Sequence, residues 1–270
     1  MKMFYGCDGS ATDRKMGGDY VENILISASM LWNGKKFRKF NPPKYDMLFL
    51  DSGGFSFFYR SGDYPFSVEQ YVELAERLNA NFVAIMDYPC EPDVVRTNEL
   101  NTNLQRIEKT ISNAKKCLEH EELNWVMVVQ GYTMNEYQYC CDRIKEEDLD
   151  TALMAIGSLC VRKKIDEARR IISLVRRNFP EARLHGFGID LRFLKDIKIR
   201  GMLWSADTQA WKWNNRSFGL NHKGYMPKCE RDKLENFHVY KSKVDALCCR
   251  KYIDLLSMEC DRRLSHEHTV

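Results

Sequence analysis

Six polar or glycine residues each fall where an apolar run stops: Asp51, Asp87, Gln130, Gly157, Gly188 and Asp207. The sharpest stop is Met47-Leu-Phe-Leu-Asp51-Ser-Gly-Gly-Phe55, a buried strand ending in a carboxylate, with two glycines that let the backbone turn closely past a ligand. A single Asp after a strand is usually a cap for the next helix. Several carboxylates, an amide and open backbone at the ends of successive strands have no such local use. They suit acid, base or nucleophilic work in one shared pocket.

The elements that must position this set are eight candidate strands: Lys2 to Cys7, Asn23 to Ser29, Met47 to Asp51, Phe82 to Asp87, Trp125 to Gln130, Ala152 to Gly157, Arg183 to Gly188 and Met202 to Ser205. Helical spacing separates most of them. Ser67-Val-Glu-Gln70 reads as a capping box before Val68, Tyr71, Val72, Ala75 and Leu78. Leu100, Leu104, Ile107, Ile111 and Ala114 mark a second helix, and Ile165, Ala168, Ile171, Ile172 and Val175 a third that stops before Pro180. Alternating strands and helices imply right-handed parallel units. Eight of them predict an α/β fold, a (β/α)8 barrel over residues 1–210, with the polar stops on one face. An open doubly wound sheet is the rival, and no glycine-rich phosphate loop supports it. Residues 211–270 read as a polar, aromatic loop and a helical tail packed on the barrel.

The 270 residues include 44% hydrophobic positions, enough for one large core. No apolar stretch reaches the length of a membrane span, and Met1-Lys-Met-Phe-Tyr-Gly-Cys7 starts as a strand, so the expectation is a cytoplasmic protein without a membrane partner. Ten cysteines, with adjacent pairs at Cys140-Cys141 and Cys248-Cys249, then read as reduced thiols. A net charge of +3 is too mild to announce a nucleic-acid binder, so a polyanion would have to be held by local clusters. Arg162-Lys163-Lys164, after the sixth strand, is one candidate; a solvated helix start explains it equally well. Trp211-Lys-Trp-Asn-Asn-Arg216-Ser-Phe218 interleaves aromatics with cations, as a stacking and phosphate-binding loop would, with a packing loop as the alternative. Arg169, Arg170, Arg176 and Arg177 are expected on the outer face of a helix.

In order and wording, Asp51-Ser-Gly-Gly-Phe55, Met86-Asp-Tyr-Pro-Cys-Glu-Pro92, Val129-Gln-Gly131, Ile156-Gly-Ser-Leu159, His185-Gly-Phe-Gly188 and Ser205-Ala-Asp207 resemble the guanine transglycosylase superfamily. The likeness spans nearly the whole barrel. It implies that Asp207 is the nucleophile that displaces a base from its sugar, and that Asp51 protonates the departing guanine and then deprotonates the incoming base. It implies that Asp87 reads a guanine-type edge, that Gln130 and the backbone around Gly157, Ser158 and Leu159 serve the carbonyl oxygen, and that Ser52 lies close by. Phe55 and His185 fall where the family sandwiches the base, although for His185 a satisfied barrel histidine is an equal reading. Because a replaced base must leave its stack, flanking contacts from Arg162, Lys163, Lys164, Trp211 and Arg216 are implied as well.

The chain departs from the transfer-RNA enzymes of that superfamily in having no Cys-x-Cys-x-x-Cys run. Zinc would need a rearranged site among His222, Cys229, His238, Cys248, Cys249, Cys260, His266 and His268. No nucleotide cofactor is expected, since exchanging one glycosidic bond for another is close to isoenergetic. The compact barrel and altered tail are most similar to the branch that inserts 7-deazaguanines into DNA, the deazapurine DNA modification proteins of phages and bacteria. DNA and a 7-deazaguanine base such as preQ0 are therefore the implied substrates. Transfer RNA is the alternative polymer, and a noncatalytic nucleic-acid-binding partner subunit is a third reading. The oligomeric state stays open.

Overall fold

Inward-pointing aromatic residues on short strands build the centre of this molecule. In the computed structural model, which describes residues 1–7, 20–95, 102–213 and 230–248, Phe4, Phe49, Phe82 and His185 meet inside a ring of strands. Their centroid separations run from 4.7 Å for Phe49–His185 to 6.3 Å for Phe4–Phe82. Alternation along a strand sends every second side chain into this layer and the others toward the helices.

The elements in chain order are β1 (Lys2–Cys7), β2 (Asn23–Ser27), α1 (Ala28–Leu31), β3 (Met47–Asp51), α2 (Gly54–Ser61), α3 (Val68–Leu78), β4 (Phe82–Ala84), α4 (Pro92–Val95), α5 (Asn103–Leu118), β5 (Trp125–Val129), α6 (Met134–Glu146), β6 (Leu153–Ile156), α7 (Ile165–Asn178), β7 (Arg183–Gly186), α8 (Leu191–Leu194), α9 (Ile197–Met202), β8 (Ser205–Thr208), α10 (Ala210–Trp213) and α11 (Glu230–Cys248). Every neighbouring pair of strands is parallel, and β8 pairs with β1 to close the barrel, with Phe4 opposite Asp207. This is the (β/α)8 fold; the open-sheet rival is excluded by the β8–β1 pairing.

Capping chemistry fixes where helices begin. The Ser67 hydroxyl accepts from Gln70 N at 3.3 Å while Gln70 Oε1 accepts from Ser67 N at 3.0 Å, the expected capping box. A second box, between Thr133 and Glu136, opens α6. In α5, Ile107, Ile111 and Ala114 are buried, but Leu104 points outward and is 49% exposed, and Leu100 lies outside the described residues. Helix α7 ends two residues before Pro180, and Arg170 and Arg177 are exposed on it. Arg169 pairs with Asp166 and Asp196, and Arg176 donates to the carbonyls of Pro180, Ala182 and Met202.

Four strand boundaries are corrected: β4 stops at Ala84 and β7 at Gly186, which leaves Asp87 and Gly188 on the loops that follow, and β2 and β8 also shift. Residues 28–31 form the short helix α1 and do not extend β2. The last strand is Ser205–Thr208; Met202 ends α9, whose first turn is capped by Asp196 accepting from Lys198 N and Ile199 N. An apolar run cut short by a helix cap looks like a strand when read only for hydropathy. Helix α11 closes the outside of β8 and β1: Phe237 packs edge-on against Tyr5 and Trp211, and the Tyr240 hydroxyl is 3.0 Å from Thr208 Oγ1. No helix among the described residues is long and apolar enough to cross a membrane. Cys7, Cys90, Cys117, Cys140 and Cys141 are buried.

Candidate active site at the carboxyl ends of the strands

Parallel strands place their C-terminal residues on a common rim, and here Asp51, Asp87, Gln130, Gly157 and Asp207 meet there. Asp87, just past β4, is the most tightly held. Ser52 Oγ donates to its Oδ1 at 2.8 Å, and the Gln130 side-chain amide donates to its Oδ2. The Tyr64 hydroxyl sits 2.8 Å from Ser52 Oγ and 2.6 Å from the Asp87 carbonyl. Ser158 Oγ donates to Gln130 Oε1 at 3.2 Å, which extends the chain to β6. Burial pushes the Asp87 carboxyl up from its ordinary value, and the hydrogen bonds from Ser52 and Gln130, with the nearby Arg106 guanidinium, oppose that shift.

Gly157 explains how Gln130 reaches Asp87. A Cβ at that position would lie 2.4 Å from Gln130 Nε2, so only glycine lets the amide pass. The next residues are held from several sides. The Tyr137 hydroxyl donates to the Gly157 carbonyl at 2.8 Å, Arg162 Nε donates to the Ser158 carbonyl at 3.1 Å, and Ser158 itself is left-handed at φ 57°. A non-glycine residue there is strained by about 1 kcal/mol or more and persists because its surroundings fix it.

Asp51 and Asp207 are less encumbered. Asp51, half-buried at the end of β3, accepts from Gly53 N at 3.1 Å. Its carboxyl is raised to about 7, first by burial, then by the charges of Asp87 and Asp207, against hydrogen bonds from Ser27 and Gly53. Such a group is part protonated and part ionised at neutral pH, so it can give and take a proton with equal ease. Asp207 on β8 is 7% exposed; its Oδ1 accepts from Gly188 N at 2.8 Å, and His185 Nε2 is 3.4 Å away. Gly188 adopts φ 68° with Cys160 packed where a Cβ would stand, which aims its N–H at the carboxylate.

Other sequence candidates fall as follows. Phe55 is the second residue of α2 and is 45% exposed, its ring stacked on Tyr59. His185 is fully buried in the aromatic layer beneath the rim, its Nδ1 2.8 Å from Ser205 Oγ, which matches the barrel-histidine reading. Lys163 and Lys164 are exposed. Two expectations are corrected. Arg162 is 3% exposed and committed to Glu167, the carbonyls of Ser158 and Tyr132, and the Tyr132 ring, so its fork anchors the β6 loop and offers nothing to phosphate. Trp211 is 1% exposed, packed edge-on against Phe237, and is core where a stacking surface was expected. Arg216 lies outside the described residues, as do His222, Cys229, Cys249, Cys260, His266 and His268. His238 and Cys248 lie on α11, and among the described residues no cluster of three His, Cys, Asp or Glu side chains could hold a metal ion.

Sequence reasoning missed Tyr64, Arg106 and the role of Glu91. Tyr64 and Arg106 carry no local signal, because their contacts to Ser52, Asp87 and Pro89 span 12 to 23 residues of chain. Glu91 was visible inside the motif that begins at Met86 but had no assigned use.

The arrangement therefore offers one carboxylate free for attack, one near neutral pH for proton transfer, and one fixed as a double acceptor. No curated protein matches the chain. The family model DpdA, described as DeoxyPurine in DNA protein A, matches residues 31–257, which run from the end of α1 past α11 and include every rim residue named above. The chain thus belongs to the DpdA family, and with it to a transglycosylase-like role in DNA modification with DNA as the polymer substrate.

Proposed function

We propose that this chain exchanges guanine in DNA for a 7-deazaguanine base, such as the cyano form preQ0, through a covalent bond between Asp207 and the deoxyribose. Asp207 attacks the anomeric carbon, the bond from that carbon to the base nitrogen breaks with its electrons going to the base, and Asp51 supplies the proton the base needs to leave. The incoming base gives its ring N–H proton back to Asp51, its nitrogen attacks the same carbon, and the Asp207 carboxylate departs. Atoms and charge balance without a nucleotide cofactor, because one glycosidic bond replaces another.

The observation that carries this reading is the division among three rim carboxyls: Asp51 raised to about 7, Asp207 oriented by a single backbone N–H, and Asp87 held by Ser52 and Gln130. Both oxygens of Asp87 keep a lone pair that can accept from the ring N–H and exocyclic amine of a guanine edge, which adenine does not offer. On this reading the exposed Phe55 covers one face of the base, and the exposed Lys163 and Lys164 meet flanking phosphates.

The test is release of labelled guanine from DNA and, in parallel, from transfer RNA, with preQ0 supplied and Asp207→Ala as control. Release from DNA that the variant abolishes is the expected result. Release from transfer RNA alone would replace the polymer, and release from neither would overturn the exchange reaction.

A further inference from the structure

One buried acid beside the recognition network has no part in the exchange chemistry. Glu91 follows Asp87 by four residues, is 4% exposed, and its Oε2 is buried without a hydrogen-bond partner. Its own backbone N–H and the Ser158 hydroxyl, whose proton goes to Gln130, lie beside the carboxyl. Two arginines act on it electrostatically: Arg162, already engaged by Glu167 and two backbone carbonyls, and Arg106, which donates to the Pro89 carbonyl. Leaving a buried carboxyl oxygen unsatisfied costs about 1–3 kcal/mol, and an apolar side chain would fill the space at lower cost. A ligand atom that completes the missing hydrogen bond would account for the acid.

The position says which ligand atom. On the exchange reading, which this inference rests on, the carbonyl edge of the base lies against Gln130 and the backbone from Gly157 to Leu159. In a 7-deazaguanine the substituent on C7 projects from the ring on the same side as that carbonyl. Ser158 adjoins Gly157, so the acid that touches Ser158 stands where the substituent points. We propose that Glu91 is a specificity residue that donates a hydrogen bond from Oε2 to an acceptor on C7 of the incoming base, such as a nitrile nitrogen. The carboxyl is raised to about 7, chiefly by burial and then by the charge of Asp87, so it holds the needed proton through the acidic side of neutrality. The titratable and charged groups around it are Asp87 and Cys90 on its own segment, Arg106 on α5, Cys160 and Arg162 after β6, and Tyr137 on α6.

The experiment measures kcat/KM for incoming 7-deazaguanines carrying cyano, aminomethyl or no substituent, in wild type, Glu91→Leu and Glu91→Gln, with guanine self-exchange as the reference for folding. Wild type should prefer the cyano base over the bare one, and the preference over the aminomethyl base should fall as pH rises past about 7. Glu91→Leu should lose the cyano preference by roughly tenfold while keeping self-exchange, the scale of one lost hydrogen bond. Glu91→Gln, which still donates, should keep the cyano preference and lose its pH dependence. Equal use of the three bases by wild type, or an equal loss for all three in Glu91→Leu, would overturn the inference and leave base exchange standing. Absence of any exchange in wild type would overturn both.

Discussion

The two sides of the barrel mouth are built on opposite principles. Around β4 to β6, Asp87 is tied to Ser52 and Gln130, Gln130 to Ser158, and the Ser158 carbonyl to Arg162. Across the mouth, Asp207 accepts from one backbone N–H, that of Gly188, with His185 nearby, and Asp51 is held by Gly53 N and the Ser27 hydroxyl, with no tie to the Gln130 amide among the described residues. A group that reads a base must hold still, and one protein donor on each oxygen of Asp87 fixes it before substrate arrives while leaving each oxygen a lone pair for the base. A group that forms and breaks bonds has to keep lone pairs for the substrate. On the proposed exchange, the first side recognises the base and the second reacts with it.

Removing a reacting group should therefore abolish turnover, whereas loosening the recognising side should blur selectivity. The largest expected effect is from Asp207→Ala, which should lower guanine release by about 10³-fold or more while DNA binding, measured by filter retention, is kept. Wild-type turnover in that variant would break the comparison outright. Asp51→Asn should cost about 10²- to 10⁴-fold, and the pH dependence of kcat in wild type should show a limb near 7 that the variant lacks. On the recognising side, Gly157→Ala puts a methyl 2.4 Å from the Gln130 amide and displaces it from Asp87. We expect a roughly tenfold rise in KM for the incoming base with a smaller change in kcat, read by steady-state kinetics.

Two smaller effects sharpen the picture. Arg162→Ala should lower thermal stability by about 1–3 kcal/mol through the carbonyls it abandons, with little change in the salt dependence of DNA binding. Lys163→Glu with Lys164→Glu should do the reverse, reducing the salt slope by about 2 with an unchanged melting temperature. Finally, the Asp51 carboxyl is raised on folding, so the folded chain binds its proton more tightly than the unfolded chain does. Stability from this group is full below the unfolded value of 3.8 and drains as pH rises toward about 7. Asp51→Asn should consequently raise the melting temperature at pH 8 by a few degrees and leave it nearly unchanged at pH 4, as seen by calorimetry.

Legibility in the sequence followed how far each side chain can reach. Asp51, Gln130 and Gly157 were readable because a short polar residue at the end of an apolar strand has one place to go, and strand register decides it. The closed barrel followed from the recurrence of such ends. Arg162 and Trp211 were misread because long side chains after a strand can turn outward to solvent or back under the loop, and composition does not say which. The turn inward depended on partners far along the chain, Tyr132 and Tyr137 for the arginine and Phe237 for the tryptophan. His185 shows the same limit: the histidine and its place near the strand end were visible, but its depth followed from Phe4 and Phe49, which only the closed ring brings beside it.

The pairing of β8 with β1 has a consequence for the making of the protein. Asp207 sits on the last strand of the ring, opposite Phe4 on the first, so roughly two hundred residues must leave the ribosome before the attacking carboxylate meets Asp51 and Asp87. A chain interrupted in synthesis, or one whose seam has opened, could still hold the residues that read a base. On the proposed exchange, it would lack the attacking group. Topology would then act as a safety catch, keeping the exchange inert until the last strand of the ring pairs with the first.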